Sequence, residues 1–366
     1  MGETLADLGE WELIRRLGAF APPGQFTDDA ALLPLGAIAD PGAAGRDPGG
    51  THGTLVLTTD VLVEGIHFSD TTTEPADVGW RAAAANLSDL AAMGCRQGMG
   101  ITVGLVAPTN TPWSWVEGVY QGIGEALRRH GGVVLGGDCS GGSQRLLAIT
   151  ALGLLRGEEG PIRRSDGLPG DLLVCTGPHG LSRLGLALLQ SDPRRDLADD
   201  AAATDAGGLA GLDSTLVQRA IQAHRRPVPR FDAVRALGGC RPAGHSWRVG
   251  GCDSSDGLAA AVATIAAASG CAARLERQQL PLDPAMADLP QAQAWCLGGG
   301  EDFELVLALE PRWAEALVSA LPGATRIGEL LAGAPGVLGW ADGTPWDAAE
   351  GASRGYCHFS GEEHPP

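Results

Sequence analysis

Residues 77–94 read DVGWRAAAANLSDLAAMG, standing between LVLTTD at 55–60 and GITVGLV at 100–106. The middle piece opens on an acid, continues through alanines and ends at Gly94. That pattern predicts a helix from Asp77 to Met93, closed by a glycine. The flanking pieces are short, apolar and β-branched, which predicts strands at Leu55–Thr59 and Gly100–Val106. Strand, helix, strand is an α/β pattern. Working outward, the alternation continues. A helix is expected over Trp113–His130, closed by Gly131 and Gly132, with strands at Val133–Leu135, Leu146–Leu155 and Leu172–Thr176. Beyond these come helices from Leu181 and from Leu216, a helix at Leu258–Ala268, a strand at Phe303–Ala308 and a helix at Arg312–Ala320. Pro34–Gly53, Ser191–Gly211 and Gly238–Gly251 read as loops.

The chain has 366 residues. At roughly 150 residues per domain that suggests two domains. The composition turns to glycine and charge at Gly157–Pro161, so the boundary is placed there, giving 1–158 and 159–366. Its 26 basic and 44 acidic residues leave a net charge of −18. Such a surface argues against nucleic acid and anionic membranes. It leaves room for phosphates held through divalent cations. The chain contains no lysine. Schiff-base, pyridoxal-phosphate and P-loop lysine chemistries are thereby excluded. Any nucleotide must be held by arginine, backbone N–H groups and metal.

The eight cysteines form no C-x-x-C pair, and several sit in apolar runs. Reduced thiols and a cytoplasmic location are expected. Met1–Leu17 lacks the basic and apolar regions of a signal peptide. Leu258–Ala273 is too short to span a membrane and reads as a buried helix.

The informative feature is where the acids fall. Asp28 and Asp29 precede the apolar run Ala30–Leu33, Asp60 ends LVLTTD, and Asp138 follows a glycine pair. Asp253 and Asp256 lie in CDSSDG before a helix, and Glu301 and Asp302 follow three glycines. Strand ends are where α/β proteins bind ligands. Asp89 shares a helix face with Asn86 and with alanines, so it points inward. A buried carboxylate is costly unless paired or metal-bound. Each Asp alone also fits a helix cap or turn, the reading kept for Asp77 and Asp171. Taken together they point to oxygen-ligated Mg2+ and phosphate chemistry.

The segments TDDAALL, LVLTTDVLVEGIHF, DVGWRAAAANLSDLAAMG, LGGDCSGG, RRSDGLPGD, CDSSDGL and GGGEDFEL, in this order, resemble the thiamine-monophosphate kinases. These belong to the wider superfamily of aminoimidazole-ribonucleotide synthetase-like ATP-binding proteins. The resemblance runs from about Glu10 to Phe359. It implies a two-domain α/β (α+β type) fold. The N-terminal part would carry a mixed sheet with helices, bind ATP and Mg2+ and meet its counterpart in a homodimer. The C-terminal α/β sandwich-like part would complete the cleft. The implied reaction is in-line transfer from ATP to thiamine monophosphate, giving thiamine diphosphate, assisted by several Mg2+ ions, with no catalytic acid or base.

Carried over position by position, the metal ligands fall on Asp29, Thr58, Thr59, Asp60, Asp89, Asp138, Asp253 and Asp256. ATP contacts fall on Tyr120, Gly137, Arg164 and Ser255. Contacts to thiamine monophosphate fall on His67, Glu301 and Tyr356. Plainer readings stand beside several of these. Thr58 and Thr59 suit a strand as β-branched residues, and Ser255 suits an N-cap. Arg164 suits a solvated turn, His67 a structural histidine and Tyr356 core packing. Glu301 is expected to oppose the cationic thiamine. Three departures from the family pattern are Gln25-Phe26-Thr27 before the Asp pair, Cys139-Ser140 after Asp138, and Cys357 after Tyr356. Two other functions compete. A sister phosphotransferase would need a catalytic cysteine near the start, whereas the first here is Cys95. A non-catalytic nucleotide binder would have eroded its acidic ligands.

Overall fold

The computed structural model describes residues 4–22, 24–35, 53–157, 159–191, 209, 212–344 and 346. Tyr356, Cys357 and nearly all of the two stretches 34–53 and 191–211 lie outside the described residues.

Helix α1 (Leu5–Leu17) leads into strand β1 (Ala31–Pro34). Then follow β2 (Thr54–Val63), α2 (Pro75–Ala92), β3 (Gly100–Ala107), α3 (Trp113–His130), β4 (Val134–Gly141) and β5 (Leu146–Leu155). These strands form a mixed sheet in the order β1-β2-β5-β3-β4, antiparallel except for the β3–β4 pair. One face is buried by strict alternation, as in Leu147, Ile149 and Ala151 of β5. It packs against α2, which in turn packs on α3. The two helices touch backbone to backbone. A Cβ on Gly79 would stand 1.9 Å from the Val119 carbonyl oxygen, and one on Gly122 would stand 1.7 Å from that of Ala76. Only glycine fits at such a crossing. The opposite face of this sheet leaves Leu57 and Val61 exposed, as are Val134 and Leu135 on the edge strand β4.

The second sheet has the order β11-β8-β10-β6-β9-β7. Its strands are β6 (Leu172–Cys175), β7 (Gly250–Asp253), β8 (Ala272–Leu275), β9 (Leu305–Leu309), β10 (Thr325–Leu331) and β11 (Leu338–Trp340). Its helices are α4 (Leu181–Gln190), α5 (Ser214–Arg225), α6 (Phe231–Gly239), α7 (Leu258–Ala268), α8 (Ala292–Gly298) and α9 (Pro311–Ala320). The largest apolar cluster joins the two sheets, with Val56, Leu87 and Ile149 from the first half and Phe231, Leu305 and Trp313 from the second. Among the described residues no helix is long and apolar enough to cross a membrane. Their cysteines are free thiols.

The elements match the expected alternation, with three differences that matter. Strand β2 runs on to Val63, paired with β5 through Leu146, so Asp60 lies inside the strand and not at its end. Strand β4 extends through Gly137 and Asp138, because parallel pairing to β3 holds the glycines extended. The helical region after Leu216 is split into α5 and α6, with Pro227 and Pro229 between them. Proline cannot continue the hydrogen-bond ladder. Gly94 follows α2 with φ of +93°, as a C-terminal stop requires.

Candidate active site

Helix α2 is the organising element. Its residues 81, 85, 88 and 89 share one face by helical period. Asp89 on that face accepts a hydrogen bond from Thr58 Oγ1 at 2.5 Å. Ser88 Oγ donates to Asp253 Oδ2 at 2.5 Å, across 165 residues of chain. Asn86 Oδ1 accepts from the backbone N–H of Asp60 at 3.0 Å. The helix thus ties β2 and β7 to itself.

Asp29, Asp60, Asp89 and Asp253 are buried within reach of one another's charge. Burial first, then mutual repulsion, pushes the Asp60 carboxyl up to about 6 and that of Asp253 up to about 8. Asp29 and Asp89 move in the same direction for the same cause. Asp256, beside them, rises to about 6, mainly by burial and then by Glu10. The cation inside this group is Arg164, whose Nε donates to Asp29 Oδ1 at 3.1 Å while its backbone N–H donates to Asp28 Oδ1 at 2.9 Å. Phe26, where the chain departs from the family pattern, is exposed and has φ of +60°.

Do these residues fit Mg2+? The donors are all oxygen, and Asp29 Oδ2 is buried with no hydrogen-bond partner. Among the described residues no three acidic, histidine or cysteine groups close around one point. That suits Mg2+, which takes one or two carboxylates and completes its shell with water and substrate phosphates. The donor set fits an open site of this kind.

Not every expected residue joins it. Thr59 lies on the outer face of β2, where its hydroxyl meets Thr150 Oγ1 at 2.8 Å. Asp138 is exposed on β4 and forms no hydrogen bond or ion pair among the described residues. Its register neighbours are Gly104, then Ala148, then Val61. Three strand spacings put it about 14 Å from Val61 across the sheet. Gly137 shares that strand, and a Cβ there would stand 1.9 Å from the Val103 carbonyl oxygen. Tyr120, half-buried on α3, lies close enough to Cys139 for the two to interact electrostatically. Tyr120, Gly137 and Asp138 therefore group away from the carboxylates.

On the other side stands Glu301, in a loop held against CDSSDG. Its N–H donates to the Ser255 carbonyl at 2.6 Å, and that of Phe303 to Ser254 at 3.2 Å. Both residues occupy the left-handed region, with φ of +57° and +52°. Such strain persists only where surrounding contacts enforce it. Ser255 itself is exposed. His67 ends the turn after β2, and its Nδ1 accepts from the Val63 N–H at 3.1 Å. The neighbour of Glu301, Asp302, faces the other way and caps α4, accepting from Gly180 N–H at 2.8 Å and Ser182 N–H at 3.2 Å. Asp77 and Asp171, expected to be structural, pair with Arg226 and Arg248. Sequence reasoning missed Ser88 and Arg81. The signal for Arg81 was a lone cation among alanines on a helix that buries every other large side chain.

Two mixed sheets with helices, a glycine-flanked acidic strand and a buried carboxylate helix define a class. Residues 27–155 match the family described as AIR synthase related protein, N-terminal domain. The class is that of an α/β protein whose N-terminal part is similar to the AIR synthase-related N-terminal domain. Over 343 residues the chain is 43% identical to the thiamine-monophosphate kinase of Prochlorococcus marinus, spanning 93% of each. It is 42% identical to that of Synechococcus elongatus, spanning 98% of each. The chain belongs to the thiamine-monophosphate kinase family. Among solved structures, AaThiL complexed with AMPPCP and TMP superposes with a TM-score of 0.77 at 25% identity, over 98% of this chain and 100% of that one.

Proposed function

We propose that this chain, a kinase by family, transfers the γ-phosphoryl group of ATP in line to thiamine monophosphate, yielding thiamine diphosphate. The observation that carries the reading is the set of mutually repelling carboxylates at Asp29, Asp60, Asp89 and Asp253, with Arg164 paired to Asp29. Bound Mg2+ would supply the missing positive charge, bridging protein carboxylates to phosphate oxygens and neutralising charge in the transition state. Thr58, Asp256 and the four carboxylates would between them hold several such ions. Arg164 would exchange Asp29 for the ATP phosphates, as a guanidinium suits both. Ser255 would contact the nucleotide, and His67, Glu301 and Tyr356 the second substrate.

Thr59 and Asp138 are both on the outer face of the first sheet, away from the buried carboxylates. A second copy seated on that face would cover Leu57, Val61, Val134 and Leu135. It would also bring its own Tyr120, Gly137 and Asp138 to the site. A homodimer formed through residues 1–158, with 159–366 completing each cleft, is part of the proposal. It is supported by two sheets that share no strand. The free thiols suit a reducing cytoplasm.

The test is product formation from ATP and thiamine monophosphate, with and without Mg2+, and with free thiamine as control. Thiamine diphosphate is expected only from the monophosphate and only with the metal. A folded sample that binds ATP and makes no product would overturn the reading.

A further inference from the structure

Arg81 carries a charge that the phosphoryl transfer does not use. Its side chain is 4% exposed. Nη2 donates to Glu301 Oε1 at 2.6 Å and to the His67 carbonyl at 3.4 Å, and Nη1 donates to the His224 carbonyl. One guanidinium therefore ties together α2, the turn after β2, the end of α5 and the Glu301 loop. The ion pair spans 220 positions of sequence.

Charges of both signs surround Glu301, and Arg81 is the one paired with it directly. Arg183 on α4 lies within electrostatic reach of it, and its Nη1 is buried without a hydrogen-bond partner. His224 Nδ1 stands 3.6 Å from Glu301 Oε2, but burial and then Arg81 push its pKa down to about 2, so the ring is neutral. Arg81 and Arg183 thus face Glu301, with the carboxylates of Asp256 and Asp302 also within electrostatic reach of it. A carboxylate already neutralised at 2.6 Å gains little from a further cation, particularly one that must be desolvated. What remains is an oriented acceptor, fixed at its backbone by the Ser255 carbonyl and at Oε1 by Arg81.

We infer that Arg81 is a positioning residue for substrate recognition. It clamps Glu301 and the His67 turn in one geometry and cancels the carboxylate charge. Glu301 then reads a hydrogen-bond donor on the aminopyrimidine of the substrate and not the positive charge of its thiazolium. The inference rests on the kinase reading above, and it replaces the expectation that Glu301 opposes the thiamine cation.

Two measurements test it. The first is binding, by calorimetry with an unreactive ATP analogue and Mg2+, of thiamine monophosphate against an analogue whose charged ring is replaced by a neutral one of the same shape. Affinities within about threefold are expected, and a preference of more than about tenfold for the cation would overturn the inference. The second is steady-state kinetics of Arg81→Met, Arg81→Lys and Arg81→Met/Glu301→Gln. Arg81→Met should raise KM for thiamine monophosphate about tenfold or more and leave that for ATP within about twofold, with Arg81→Lys recovering part and the double variant little worse than Arg81→Met. A lower KM in Arg81→Met, from an unmasked carboxylate attracting the cation, would overturn the inference, as would equal changes for both substrates. If Arg81→Met does not fold, the calorimetry and Arg81→Lys decide. A wild-type protein that binds both ligands and makes no thiamine diphosphate would instead sink the kinase reading.

Discussion

The carboxylates on the two sides of helix α2's inner face are partnered differently. Among Asp29, Asp60, Asp89 and Asp253, Arg164 pairs with Asp29 and also reaches Asp253, while Asp60 and Asp89 meet chiefly the other carboxylates. Glu301 is paired directly by Arg81, with Arg183 within electrostatic reach. In the acidic half, bringing like charges together costs free energy, which either a bound proton or an added cation offsets. The Glu301 half is already neutralised by the protein itself. The difference separates two kinds of recognition: one half collects a ligand through charge it lacks, the other reads a ligand through shape it already holds.

Asp60→Asn attacks the acidic half directly. We expect kcat to fall about 100-fold or more, the loss of several kcal/mol of charge stabilisation. The metal-free variant should melt at a higher temperature than wild type, since one source of repulsion is gone. Near-normal turnover in a folded variant would dissolve the contrast between the halves. Mixing Asp60→Asn with Asp138→Asn asks whether the acidic half is finished by a second copy. Two inactive proteins should recover about a quarter of wild-type activity after subunit exchange, because half of the random dimers carry one intact site. Absence of recovery in a sample shown to exchange would remove the shared site.

Ser88→Ala sharpens the comparison more gently. Losing the 2.5 Å bond to Asp253 should weaken Mg2+ binding by about 10-fold, in line with other supporting groups. Unchanged affinity by calorimetry would make that bond merely structural. The smallest effect is on pH dependence. Asp60 and Asp253 titrate near 6 and 8 when folded, against about 4 when unfolded. The metal-free native state therefore binds more protons than the unfolded chain between those values. Its stability should be greatest below about pH 4 from these groups and fall as pH rises through 6 and 8. Mg2+ favours the ionised form, so it should raise Tm more at pH 8 than at pH 5. Equal gains at both would contradict the raised carboxyls.

Much of this was legible in the sequence, for identifiable reasons. The alanine-rich run of α2 closed by Gly94, and the short apolar run of β5, are local signals, and the structure follows them. The acidic positions were legible because inward carboxylates need an explanation. What escaped depends on long-range pairing. Arg81 and Glu301 lie 220 residues apart, and nothing near either names the other. Glu301 and Asp302 are neighbours, yet only the left-handed backbone decides which one faces the cleft. Thr58 and Thr59 must face opposite sides of a strand, so both hydroxyls cannot serve one inner site. Asp138 belongs to a strand whose length is set by its pairing with β3, which local composition does not encode.

Helix α2 has one further consequence. Arg81, Asn86, Ser88 and Asp89 hang from it, and they fasten the Glu301 loop, Asp60, Asp253 and Thr58 respectively. From Arg81 to Asp89 the rod measures about 12 Å. It works as a caliper whose jaws are the two halves of the cleft, and its gap is counted in residues. Changing a side chain alters the grip of one jaw. Adding or deleting one residue between them would swing everything beyond it by about 100° and close or open the gap by about 1.5 Å. Within this stretch the gene should therefore tolerate misspelling far better than a shift in length.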